Sequence, residues 1–142
     1  MRRILVTAMA VFALPIVSAP ILSAPNATAA PVVAPSPYVD QVKWAKWGDL
    51  SSLRVYPTES ARDLSGRPGT GAQADEAWAE VLTLDAEAAM PGMREQFICH
   101  WRFAELFEPG KTSWNLEPWR PEVSDEDMVA AGCNPGGTEE PF

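Results

Sequence analysis

Basic residues are scarce in this sequence. Eleven lysines and arginines stand against 19 aspartates and glutamates, a formal net charge of −8. There is no basic face to meet a phosphate backbone, which argues against nucleic-acid binding. The same sign argues against an anionic membrane surface. Histidine occurs once, as His100, too few imidazoles for an ordinary zinc site. There are only two cysteines, Cys99 and Cys133. No P-loop, GxGxxG fingerprint, nucleophile elbow, EF-hand loop or internal repeat is present. No metal or cofactor is therefore expected. After the N-terminal region, no apolar run is long enough to span a bilayer.

What is present begins with an export pattern. Met1-Arg2-Arg3 is a short positive region. Ile4 to Val17 is apolar apart from Thr7 and Pro15. Ala27-x-Ala29 is the small-x-small pattern of a signal-peptidase site. Residues 1–29 thus read as a signal peptide. The apolar run is too short and too Pro-interrupted for a retained span, which needs about 20 residues. Arg2-Arg3 resembles a twin-arginine signal only loosely, so general secretion fits better. Removing residues 1–29 also removes Arg2 and Arg3, and leaves a more acidic chain with no transmembrane anchor. In an exported chain, an even cysteine count reads as one disulfide, Cys99–Cys133. The rival reading is a reactive thiol at Cys99 beside His100. Neighbouring side chains point different ways on helix and strand alike, which weakens it.

Residues 30–37 are Pro- and Ala-rich, an extended spacer. A single domain follows over 38–137, then a short tail, 138–142. Val42 and Trp44 share one face of a first strand, and Leu53 and Val55 share one face of a second, with Gly48-Asp49 as the turn. Thr58 to Ala61 starts a short helix. The Gly-rich stretch from Leu64 to Gln73 reads as a surface loop. A helix over 75–84 would open on Asp75 and Glu76, which would repel phosphate at its N-terminus. Its buried face is Trp78, Val81 and Leu82. Residues 93–107 fit helical and strand periodicity almost equally, with a slight preference for helix. Trp114 to Pro121 is not helical, because its two prolines force extended neighbours. Ser124 caps a short acidic helix that Gly132 ends. The expected fold is α+β: a short antiparallel sheet packed by two or three helices, with one disulfide.

Several stretches carry a resemblance. They are Trp47-Gly48, Leu53-Arg54-Val55-Tyr56-Pro57-Thr58 and Ala77-Trp78, then Met93, Gln96-Phe97 and Cys99-His100. Trp114-Asn115-Leu116-Glu117-Pro118-Trp119-Arg120-Pro121 and Cys133-Asn134-Pro135-Gly136-Gly137 complete the set. Together they cover most of residues 38–137. The chain resembles a family of small secreted actinobacterial proteins, common in mycobacteria, known only as a domain of unknown function. The resemblance implies one secreted domain with paired cysteines, and no activity, cofactor or catalytic residue.

The candidate site residues come from chemistry. His100 is the candidate general acid or base, since an imidazole titrates near neutrality. Its alternative is a core histidine beside the disulfide. Glu117 and Arg120 lie between tryptophans and prolines. Arg120 stacked on Trp119 and bridged to Glu117 would stiffen the segment. Alternatively Trp114, Trp119 and Arg120 present a binding surface to a peptide or glycan. The leading expectation is a secreted, non-catalytic binding module of the cell envelope or medium, its partner an envelope protein, peptide or glycan. The second is a small envelope hydrolase using His100, Glu117 or both.

Overall fold

The computed structural model describes residues 34–137. The expected export signal, the start of the spacer and the tail lie outside the described residues.

Alternation over the first part of the domain builds a hairpin. Strands β1 (Val39–Trp47) and β2 (Leu50–Pro57) pair antiparallel across Gly48-Asp49. Gly48 sits at φ 58, a left-handed value that costs glycine nothing. Val42 opposes Val55, and Trp44 opposes Leu53. A third strand, β3 (Trp114–Leu116), runs antiparallel to β2, giving the order β1-β2-β3. Directly opposed residues share a face. One face therefore carries Val42, Trp44, Leu53, Val55, Trp114 and Leu116, and the helices pack on it.

Four α-helices occur among the described residues, one more than the most expected. Helix α1 (Glu59–Leu64) is capped by Thr58, whose hydroxyl accepts from the Ala61 N–H at 3.2 Å. Helix α2 (Gly71–Leu84) starts four residues before the expected Asp75. Ala72, Gln73 and Ala74 are good helix formers, and Ala74 is buried with Ala77, Trp78 and Val81 at helical spacing. The core contact at Ala74 thus extends the helix backwards and leaves Asp75 exposed in its second turn. A short 3-10 turn, Ala86–Ala88, follows.

Residues 93–107 resolve as helix α3 (Met93–Phe107). Met93, Gln96, Phe97, His100, Trp101 and Ala104 are buried, at the spacing of a wide helical face. A strand would have put Ile98, His100 and Arg102 on one side, yet Arg102 is exposed and His100 buried. Phe97 is the centre of the aromatic core, with ring centroids 5.5 Å from Trp78, 6.4 Å from Trp101 and 5.8 Å from Trp114. Helix α4 (Asp125–Ala130) is capped as expected by Ser124, which accepts from the Asp127 N–H. Gly132 and Cys133 then adopt φ 59 and 67. That left-handed pair turns the chain back so that Cys133 bonds Cys99 on α3, with Cα atoms 5.6 Å apart.

The result is the small α+β domain with one disulfide that the sequence predicts. Among the described residues, no helix is long and apolar enough to cross a membrane.

Candidate functional site

Helix α3 carries His100 and holds Glu117 through Gln96. Gln96 is nearly solvent-free, and its side-chain amide makes two bonds to Glu117. Gln96 Nε2 donates to the Glu117 carbonyl at 3.0 Å, and the Glu117 N–H donates to Gln96 Oε1 at 2.9 Å. A glutamine on the helix thus takes the place of a neighbouring strand where β3 ends. This satisfies backbone groups that would otherwise be buried without partners.

Glu117 then turns inward. Its Oε1 accepts from Ser52 Oγ on β2 at 2.8 Å, and its Oε2 accepts from Arg120 Nε at 2.7 Å. Both charged side chains are almost wholly buried, at 1% and 0% exposure. Arg120 also donates from Nη1 to the carbonyls of Pro135, at 3.2 Å, and Gly137, at 2.9 Å. Its guanidinium carbon lies 4.6 Å from the Trp119 ring centroid. Trp119 in turn donates its indole N–H to the Ser51 carbonyl. Trp114 is a core residue, 1% exposed. Glu117, Trp119 and Arg120 therefore tie the segment after β3 to β2 and to the C-terminal loop.

His100 lies one turn beyond Gln96. Its Nδ1 is 2.8 Å from the Gln96 carbonyl. A carbonyl only accepts, so Nδ1 carries a proton, and in the neutral ring Nε2 is the acceptor nitrogen. His100 is 4% exposed, but it lines an open groove of about 640 Å³. The C-terminal half of α3 supplies one wall with Phe103, Ala104 and Phe107. The loop Ala131–Gly137, with Cys133 in it, supplies the other. Phe103 and Phe107 stack at 6.1 Å, and Phe107 is 73% exposed. At the rim Lys111 Nζ lies 2.9 Å from Glu108 Oε2.

The two hydrolase candidates are thus not brought together. His100 borders the groove, whereas Glu117 points into a core ion pair and does not line it. Among the described residues that line the groove there is no serine, threonine or free thiol. Among the described residues, no three of His, Cys, Asp and Glu converge to hold a metal ion.

Sequence reasoning missed Gln96 and the groove walls. One signal was available for Gln96: an amide inside an apolar stretch needs a partner when buried. Nothing marks Phe103 and Phe107 as groove residues rather than core, because i, i+4 aromatic spacing is common to both.

Comparison with known proteins adds kinship without function. An uncharacterized protein of Mycobacterium tuberculosis is 62% identical over 104 residues, covering 73% of this chain and 70% of its own. An uncharacterized protein of Mycobacterium bovis matches to the same extent. One of Mycobacterium leprae is 48% identical over 103 residues, covering 72% of this chain and 83% of its own. No solved structure matches. The matched family model runs over residues 39–136, from the first strand through Gly136 in the groove wall. The chain belongs to the family described as "Protein of unknown function (DUF2599)".

Proposed function

We propose that the protein is an exported, non-catalytic binding module, and that its groove receives an apolar side chain of a basic peptide segment on an envelope partner. The observation that carries this reading is the separation of the candidate residues. The groove holds His100 and aromatic walls, while Glu117 and Arg120 are spent on each other in the core. A hydrolase would pair His100 with a second acid–base group or nucleophile, and Glu117, the candidate for that role, is engaged by Ser52 and Arg120 instead.

The tryptophans that would have stacked on a glycan lie away from the groove. Sugar sites use flat aromatic faces with carboxylates, but Trp114 is core and Trp119 carries Arg120. The net charge of −8 favours a basic partner. The disulfide is consistent with an oxidising compartment, and the N-terminal pattern with passage into it. Expressed in a mycobacterial host, the mature chain is expected to begin at Ala30 and to occur outside the cytoplasm.

The binding test is a peptide array that varies one apolar anchor, with and without flanking lysines. Phe, Leu and Trp anchors with lysines should be retained. Phe103→Ala/Phe107→Ala should weaken capture about ten-fold or more, as loss of an anchoring pocket does. Capture unchanged in that variant would refute the groove. Turnover of any array peptide that is abolished by His100→Ala would replace the binding reading with the hydrolase one.

A further inference from the structure

The early start of α2 changes the surroundings of the Gly-rich loop before it. A recess of about 300 Å³ lies between that loop and α3. Arg67 enters it from the loop, and Arg94 and Arg102 from α3. The two α3 arginines are eight residues apart, on one exposed stripe of the helix. Among the described residues, Asp75 is the single acid lining the recess, and it is already bonded to Arg94 at 2.5 Å. Arg67 and Arg102 have no carboxylate partner among the described residues, in a chain with 19 acids. Two guanidinium groups without a carboxylate in one recess of an acidic protein favour an anion there, and Arg102 keeps one face on the Phe103 ring, 5.0 Å from its centroid.

The floor of the recess adds to this. Thr70 donates its hydroxyl to the Arg67 carbonyl at 2.9 Å and accepts from the Trp101 indole N–H at 3.1 Å. It is thereby turned away from α2, whose first turn has no side-chain cap and no acidic residue. The first amides of that helix have no intrahelical acceptor. The expected repulsion from Asp75 and Glu76 does not apply at this end, since the helix begins at Gly71.

We infer that this recess binds a phosphomonoester group, carried by a small molecule or by a lipid headgroup. Two arginines without a carboxylate partner match the charge of a phosphomonoester dianion, and guanidinium forks match its oxygens. The arginines carry the inference, and it is independent of the groove on the other side of α3.

The test titrates the full domain with glucose 6-phosphate in one arm and with phosphatidic acid vesicles in the other. Amide shifts of Gly69, Thr70 and Gly71 and the Trp101 indole N–H signal report the recess. Either arm should move them, with binding weakened about ten-fold or more in Arg67→Ala/Arg102→Ala, the loss of two charge-assisted contacts. The arm that binds identifies the source of the phosphate. Arg67→Lys/Arg102→Lys should fall between, keeping charge without the fork. Lys43→Ala/Lys46→Ala removes the same charge from β1 and should change little. Silence in both arms, an unaltered Arg67→Ala/Arg102→Ala response, or equal weakening by the two lysine changes would overturn the assignment. All four substituted side chains are exposed, and an unchanged thermal midpoint verifies the fold.

Discussion

Arg120 shows how one residue type was legible while its place was not. The sequence set Glu117 three residues before Arg120 and Trp119 beside it, so the ion pair and the stacking were readable as local chemistry. Burial was not, because it depends on Ser52 and on the 135–137 carbonyls, which are distant in sequence. Removing one partner of a buried pair strands the other charge in the core. Arg120→Met should therefore cost about 3–5 kcal/mol in a denaturant titration. Glu117→Gln/Arg120→Met should cost less than the two single changes added together, because it strands no charge. Strict additivity would mean that the pair is not coupled. Glu117→Gln alone is thus a stability variant first, and any loss of function in it must be corrected for unfolded protein. Gly136 illustrates close approach: a Cβ there would lie 2.8 Å from Pro121 Cδ, so only glycine fits between the segment after β3 and the groove wall.

Helix α3 is the element on which both sites depend. Its hydrophobic content was plain in the sequence, but its period was ambiguous, since nearly every residue from Phe97 to Trp101 is apolar or aromatic. The ambiguity resolves in three dimensions. Trp114–Leu116 takes the sheet position beside β2, and α3 crosses the core face instead. That third strand was hidden by its length of three residues and by the prolines that follow it. The cap at Ser124, by contrast, depends on a neighbour three residues away and was readable at once. The ring of Phe97 contacts three tryptophans drawn from α2, α3 and β3. Phe97→Ala should destabilise by about 3–5 kcal/mol, and near-ultraviolet circular dichroism should lose intensity with it. A change under about 1 kcal/mol would mean that the aromatic cluster repacks freely, contrary to a close-packed core.

For the whole molecule, the even cysteine count was enough to anticipate the bridge, while the groove it borders required the fold. Closing a 34-residue separation should stabilise by about 3–4 kcal/mol on the chain-entropy model. Cys99→Ser/Cys133→Ser should lose that amount, read as a lower thermal midpoint, about 4–8 °C for each kcal/mol in a domain of this size. An unchanged midpoint would leave the bridge without a role in stability. Its covalent topology has a further consequence. Residues 99 to 133 form a closed ring that contains β3, α4 and the exposed turn at Glu108-Pro109-Gly110. A protease that cuts at that turn opens the ring but releases nothing. The two halves stay joined through sulfur, and the Gln96 and Arg120 contacts still hold them in place. Such a nicked chain would migrate as one species without reductant and as two with it.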